Sequence, residues 1–146
     1  RPFRNVPHRA WDGLHGKHMA GKPRSYAGAL VDAPCSAIGT WRRNPDARWS
    51  LDSDAVARLS AIQLQLLQAA SAGVKAGGAL VYSVCTLTPA ETQDVVRQFL
   101  ASSSDFRLDP FPNPLDGSET NGTLLIWPQD ADSDAMFVAR MVRTPG

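Results

Sequence analysis

Two cysteines, Cys35 and Cys85, are the only thiols in this chain of 146 residues. Each follows an apolar run typical of a β-strand, at the point where a turn begins. In an open α/β sheet, ligands bind and chemistry occurs at that end of the strands. Asp32 lies three residues before Cys35, so the pattern indicates a cysteine nucleophile with a polar partner. This interpretation requires that the two strand ends meet in space.

The residue types alone leave a structural interpretation open for both thiols. An Asp-x-Pro sequence forms turns, and a free cysteine is commonly a small buried core residue. In the functional alternative, Pro34 fixes the backbone so that Asp32 and Cys35 project into one cleft. A disulfide between Cys35 and Cys85 is conceivable, but a reducing compartment disfavours it.

The apolar pattern of the first half of the chain predicts two strands joined by a long helix. Residues 26–32 and 79–85 are short apolar runs consistent with buried parallel strands. Between them, apolar residues recur every three or four positions and predict one apolar helix face, formed by Ala55, Leu59, Ile62, Leu66 and Ala70. Gly73 or the pair Gly77 and Gly78 ends that helix.

The second half predicts another helix and a set of short strands. Thr88 and Glu91 fit a capping box at a helix start, with Pro89 at the first helical position. Residues 106–108 form a brief strand, residues 110–121 a loop, and residues 123–127 and 136–143 two closing strands. This order predicts a three-layer α/β domain with an antiparallel edge.

The composition excludes several classes of protein. Hydrophobic residues make up 43% and charged residues 20%, which argues against disorder. No apolar run approaches the ~20 residues of a membrane span. The cysteines and histidines lack metal-ligand spacing, so no metal site is predicted. Two cysteines without a secretory leader indicate a reducing, cytoplasmic setting.

A basic and aromatic stretch, residues 41–49, is the best candidate for contact with nucleic acid. The net charge is only +1, so such contact must come from a local patch. Arg42, Arg43 and Arg48 are expected to pair with phosphates, while tryptophans stack on bases or on arginine. Of the aromatic residues, Trp49 is expected to pack onto the core.

Three segments together resemble the Sun/Fmu family of RNA 5-methylcytosine methyltransferases: Asp32-Ala33-Pro34-Cys35-Ser36, residues 39–49 and residues 80–91. Their order and spacing match as well, and the similarity extends from about Asn5 to the C-terminus. The resemblance implies a Rossmann-like, S-adenosylmethionine-dependent methyltransferase sheet acting on rRNA or tRNA. It favours a functional role for both thiols.

The resemblance also implies roles for individual residues. Cys85 would attack C6 of a cytosine, which makes C5 electron-rich enough to accept a methyl group. Cys35 would assist release of the product, and Asp32 would hydrogen-bond the target base. Asp12, Asp32 and Pro34 match positions that contact the cofactor. DNA cytosine methyltransferases use a Pro-Cys thiol as the nucleophile, so exchanged roles for the two cysteines remain an alternative.

One family feature is absent from the sequence. Family members carry a Gly-rich cofactor loop upstream of the segment that begins at Asn5, and no segment here fits it. Residues 1–146 are therefore expected to be the C-terminal part of a catalytic domain whose N-terminal half is a required partner. A non-catalytic RNA-binding or scaffold module is the alternative function, and methylation of DNA is a third.

We accordingly expect the isolated 146 residues to bind S-adenosylmethionine weakly or not at all. They lack the Gly-rich cofactor loop and the acidic residue that follows the next strand in family members. Isothermal titration calorimetry measures this affinity. A dissociation constant in the micromolar range would contradict the expectation.

Overall fold

A mixed five-stranded sheet organises residues 24–145, which are the residues that the computed structural model describes. Its strands are β1 (Tyr26–Asp32), β2 (Val74–Val84), β3 (Phe106–Leu108), β4 (Thr123–Ile126) and β5 (Met136–Arg143). Strands β1 and β2 are parallel, and β5 runs antiparallel to β2. Both β3 and β4 pair antiparallel with β5, at opposite ends of its length. The parallel pair therefore lies at one side of the sheet and the antiparallel strands at the other.

Two helices cover one face of this sheet. Helix α1 (Ala55–Ser71) follows β1, and helix α2 (Gln93–Ser102) follows β2, while the one-turn helix α3 (Pro128–Ala131) connects β4 to β5. Side chains of α1 and α2 join the sheet residues in one apolar cluster. The sequence predicts three layers, whereas residues 24–145 form two, the sheet and one layer of helices.

Strict alternation along the central strands builds the core. On β2, Leu80, Tyr82 and Val84 are fully buried, whereas their neighbours are partly exposed. The antiparallel register places Leu80 opposite Met141 and Val84 opposite Phe137, so both strands bury the same face. A period of two with one face covered is the expected pattern for strands in such a sheet.

Most of the predicted elements are confirmed, but β1 differs in its environment. The strand was expected to be buried, yet only Val31 is buried in it and Leu30 is 69% exposed. The reason is that β1 is paired on one side only, with β2, among the described residues. Its sequence is apolar enough for a central strand, although here it forms an edge.

The ends of the two main helices decide one open alternative in favour of Gly73 and correct one prediction. Helix α1 ends at Ser71 and is followed by Gly73, whereas Gly77 and Gly78 lie within β2. At the start of α2, the segment Pro89–Glu91 forms a separate turn of 3-10 helix. The predicted capping box is not formed there, because no side chain caps that turn.

None of the helices in the described range 24–145 is long and apolar enough to cross a membrane.

Truncation of Phe99 to alanine is expected to destabilise the fold by about 3–5 kcal/mol, the usual cost of deleting a buried aromatic ring. Phe99 is fully buried on α2, and its ring meets that of Phe106 edge-on, with centroids 5.4 Å apart. Urea denaturation followed by circular dichroism gives the free energy of unfolding. Leu115→Ala, at a 47% exposed residue, is the matched control and should cost under ~1 kcal/mol. Equal effects of the two substitutions would contradict this packing.

Candidate active site

The two thiols are in direct contact. The Sγ atoms of Cys35 and Cys85 lie 3.5 Å apart, within hydrogen-bond distance for sulfur, and neither cysteine is in a disulfide. Each thiol lies just beyond the C-terminal end of its strand, Cys35 after β1 and Cys85 after β2. Since β1 and β2 are parallel neighbours, their C-terminal ends share one edge of the sheet. The strand ends therefore meet, as the sequence interpretation requires.

Asp32 lies beside the thiols at the same edge. It is the last residue of β1, opposite Ser83 on β2, and its carboxylate accepts a hydrogen bond of 3.0 Å from the Ser83 hydroxyl. One further backbone bond, from Ala33 N to Ser83 O, continues the pairing before Pro34 ends it. Asp32 and Pro34 are both exposed to solvent. A carboxylate is thus held on the solvent side of the strand ends, where it can contact a ligand.

Gly39 clamps the backbone of the Cys85 loop. Its amide donates to the carbonyl of Cys85, and its own carbonyl accepts from the amide of Ala135, directly before β5, both at 3.0 Å. A Cβ at this position would lie 2.7–2.9 Å from atoms of Ala135 and Cys85, which is closer than real contacts allow. Only glycine fits this approach, so the loop after Cys35 packs directly against the loop that carries Cys85.

The buried carboxylate of Glu91 joins the two cysteine loops. Its Oε1 accepts from the amide of Ser36 at 2.8 Å and from Gln63 Nε2 at 3.1 Å. Its Oε2 accepts from the hydroxyls of Ser36, Thr88 and Thr86 at 2.5, 2.8 and 3.2 Å.

Ser36 directly follows Cys35 and Thr86 directly follows Cys85, and their hydroxyls are also 2.8 Å apart. All of these donors are neutral, and no ion pair of Glu91 occurs among residues 24–145.

Two further side chains support this carboxylate. Gln63 is fully buried on α1, and its Nε2 also donates to the carbonyl of Pro34 at 2.9 Å. Tyr82 is fully buried on β2 and donates its hydroxyl to the backbone carbonyl of Glu91 at 2.7 Å. Burial, together with the nearby Glu91 charge, raises the pKa of the Tyr82 hydroxyl, so this donor stays protonated.

Burial also sets the protonation of Cys35. The pKa of the Cys35 thiol is raised from 9.0 to about 12, chiefly because burial desolvates the thiolate. The backbone amide of Ala37 opposes this rise, and the neighbouring Cys85 sulfur contributes to it. Cys35 is therefore a neutral thiol at physiological pH. A neutral thiol is a hydrogen-bond and proton donor rather than a nucleophile.

The comparisons with known proteins identify the family. The sequence model of the 16S rRNA methyltransferase RsmB/F family matches residues 4–142. The chain belongs to the RsmB/F family. The resemblance to Sun/Fmu methyltransferases is confirmed.

Curated relatives of this RsmB/F member carry related names. The probable ribosomal RNA small subunit methyltransferase B of Synechocystis sp. is 43% identical over 117 residues, which is 77% of this chain and 26% of that protein. The ribosomal RNA small subunit methyltransferase F of Aeromonas salmonicida is 40% identical over 126 residues, or 82% of this chain and 26% of that protein. The chain thus spans about a quarter of the length of these relatives.

Solved structures confirm the fold class, a methyltransferase-like mixed sheet. The crystal structure of PH0851 superposes with a TM-score of 0.76 at 33% identity and covers 83% of this chain and 27% of that one. A methyltransferase homolog protein from Pyrococcus horikoshii gives a TM-score of 0.62 at 25% identity, over 82% of this chain and 39% of that chain. NSun6 from the same organism, solved with SFG, shares the fold at 24% identity, with a TM-score of 0.64 over 80% of this chain and 30% of its own.

Of the three residues predicted to contact the cofactor, two lie in the described part of the chain. Asp12 lies outside the described residues. Asp32 and Pro34 lie together at the thiol edge. No cluster of three or more metal-ligating side chains occurs within the part of the chain that is described.

The basic loop has partners that its sequence did not indicate. Arg42 and Arg43 donate to the carboxylates of Asp132 and Asp134, at 2.7 and 2.6 Å. Two of the three arginines predicted to bind phosphate are therefore already paired with carboxylates of the loop before β5. Arg48 stacks its guanidinium 4.6 Å from the centroid of the Trp49 ring. The expectation that Trp49 packs onto the core is wrong: the residue is 76% exposed, because its ring contact is this stacked arginine.

The sequence interpretation missed the residues that hold the site together. Glu91 has the spacing of a helix cap, which concealed its role as a buried acceptor. Ser36 and Thr86 carried one signal, since each is a hydroxyl residue directly after a cysteine. Gln63 carried another, because it is a polar residue in line with the buried residues Leu67 and Ala70 of α1.

The alkylation rate of Cys35 by iodoacetamide is expected to rise steadily with pH up to at least 10.5 without levelling off. The reason is that the reactive thiolate forms only as the pH approaches the raised pKa of about 12. Peptide mapping by mass spectrometry at timed intervals gives the rate at this residue. The same cysteine in denaturant is the control and should level off above its ordinary pKa of roughly 8.5. A plateau near pH 9 in the folded protein would contradict the burial argument.

Proposed function

We propose that this protein methylates C5 of cytosine in RNA through a covalent cysteine adduct, with ribosomal RNA as the substrate. The contact between the Cys35 and Cys85 sulfurs at 3.5 Å, beside the exposed carboxylate of Asp32, is the observation that carries the proposal. The names of the curated relatives, small subunit rRNA methyltransferases, support the choice of RNA class. An rRNA substrate in turn implies action in the cytoplasm.

Cys85 acts as the nucleophile in this proposal. Its sulfur forms a bond to C6 of the base, and the electron pair of the C5–C6 double bond moves to C5, which then takes the methyl group. Asp32 accepts a hydrogen bond from the exocyclic amine or from protonated N3 and so stabilises the adduct. The Ser83 hydroxyl fixes the carboxylate of Asp32 for that contact.

Cys35 assists release of the product. A solvent water at this exposed edge takes the proton from C5, and the C–H electron pair re-forms the C5–C6 double bond. The bond between C6 and the Cys85 sulfur breaks, and its electron pair stays on the sulfur as a thiolate. Cys35 is the neutral thiol 3.5 Å from that sulfur, so its S–H donates to the departing thiolate.

S-adenosylmethionine supplies the methyl group when bound. NSun6, which shares the fold, was solved with SFG, an analogue of S-adenosylmethionine. Asp32 and Pro34 are exposed at the C-terminal ends of parallel strands, where nucleotide-type ligands bind in open α/β sheets. These two residues fit a ligand contact, and Asp12 is the third residue proposed for it.

The stacked pair of Arg48 and Trp49 is the proposed RNA contact. An exposed indole with a guanidinium over its face offers both a stacking surface and a positive charge. Arg42 and Arg43 are paired with Asp132 and Asp134, and these carboxylates compete with phosphates for them. Exposed ion pairs of this kind are worth at most about 1 kcal/mol, so exchange for phosphate is feasible.

Incubation of the full-length protein with RNA containing 5-azacytosine is expected to trap a covalent protein–RNA adduct at Cys85. Denaturing gel electrophoresis and peptide mass spectrometry measure its amount and position. Cys85→Ala should abolish the adduct, because no other group supplies the bond to C6.

Cys35→Ala is the matched control at the neighbouring thiol, and on natural RNA it should leave a methylated adduct that persists on the enzyme. An adduct that survives Cys85→Ala but not Cys35→Ala would reverse the two roles. RNA binding without any adduct in the unmodified protein would instead favour a non-catalytic RNA-binding module.

A further inference from the structure

We propose that Glu91 is the positioning residue that sets the spacing between the two thiols. The inference rests on the proposed function of Cys35 and Cys85 and extends it to a side chain that contacts neither sulfur. Its basis is the arrangement of donors around the carboxylate. Each donor belongs either to one of the two loops that carry a cysteine or to Gln63, which binds the carbonyl of Pro34 beside Cys35.

The carboxylate is fixed from both loops at once. Ser36 binds it through both its amide and its hydroxyl, and Thr86 and Thr88 bind it from the loop of Cys85. Because Ser36 and Thr86 each directly follow a cysteine, a shift of either residue relative to Glu91 shifts the adjacent Cα. The distance between the sulfurs thus depends on one acceptor that is shared by the residues directly following each cysteine.

Burial makes the hydrogen bonds between Glu91 and the two cysteine loops hard to replace. Glu91, Thr86 and Gln63 are fully buried, and Ser36 is 3% exposed, so water does not replace a broken bond at low cost. Removal of the carboxylate leaves the Ser36 amide and one of the two N–H groups of Gln63 Nε2 without an acceptor, and a buried donor without a partner is costly. The loops then move to satisfy these groups, and the contact between the thiols is lost.

The two oxygens of Glu91 face different kinds of donor, which gives a diagnostic substitution. Oε1 meets amide N–H groups of Ser36 and Gln63, which only donate. Oε2 meets hydroxyls alone, and a hydroxyl can accept as well as donate. Glu91→Gln can therefore keep its oxygen toward the amides and turn its NH₂ toward the hydroxyls. The positioning role predicts that this substitution is tolerated, because geometry rather than charge is required.

Phenylarsine oxide tests whether the Cys35 and Cys85 thiols are close together, and this test does not depend on catalytic activity. The reagent bridges two adjacent thiols: two As–S bonds form, and the oxygen leaves with both thiol protons as water. In the full-length protein, the bridged mass should appear on Cys35 and Cys85 and should be absent from Cys35→Ala and Cys85→Ala. Glu91→Ala should weaken the bridging about tenfold or more against a competing monothiol, since the effective concentration of one thiol at the other falls. Glu91→Gln should bind the reagent as the unmodified protein does.

A second pair of substitutions covers the case in which Glu91→Ala does not fold, which circular dichroism reports. Ser36→Ala removes a hydroxyl beside Cys35 that bonds both Glu91 and Thr86, whereas Thr88→Val removes one that bonds the carboxylate farther from either thiol. Ser36→Ala should reduce bridging more than Thr88→Val does.

Three results would overturn the inference: folded Glu91→Ala with unchanged bridging, loss of bridging in folded Glu91→Gln, or equal effects of Ser36→Ala and Thr88→Val. Failure of the proposed function gives a different pattern. Bridging then follows these expectations while the 5-azacytosine adduct is absent from the unmodified protein.

Discussion

One buried carboxylate is the constraint on which the site depends. Glu91 accepts hydrogen bonds from both loops that carry a cysteine and from the long helix that packs beneath them. A carboxylate without a cationic partner is stable in a protein interior only when neutral donors surround it. The sequence supplies them as hydroxyl residues beside each cysteine. The same bonds that make burial of the charge tolerable bring the two sulfurs to 3.5 Å.

The parallel pairing of β1 and β2 places both cysteine loops at one edge of the sheet. Parallel neighbours end at the same edge, so residues that follow them converge without any long loop. Burial raises the pKa of the Cys35 thiol, so this thiol is protonated at neutral pH. In the proposed mechanism, Cys85 is the attacking sulfur and Cys35 the proton donor. Gly39 completes the site by allowing the first loop to approach the second at backbone distance.

The sequence predicted the strands, the helices and the meeting of the thiols, because these follow from apolar periodicity and from strand ends. It did not predict the role of Glu91, since Thr88-Pro89-Ala90-Glu91 satisfies the local rules for a helix start and the competing tertiary contacts are far away in sequence. The exposure of Leu30 and Trp49 was missed for a similar reason. Apolar character predicts burial, but strand pairing and arginine stacking decided their environment. The ion pairs of Arg42 and Arg43 depend on residues about 90 positions away, which spacing within one segment cannot reveal.

A double-mutant cycle between Ser36→Ala and Thr88→Val tests the central claim most directly, with the free energy of unfolding as the measured quantity. Both hydroxyls bond Oε2 of Glu91, one from each cysteine loop. The account predicts a coupling energy of about 0.5–3 kcal/mol between them, and additive effects, within about 0.5 kcal/mol, in a Glu91→Ala background. Additive effects with Glu91 in place would show that the carboxylate does not join the loops and would contradict the account.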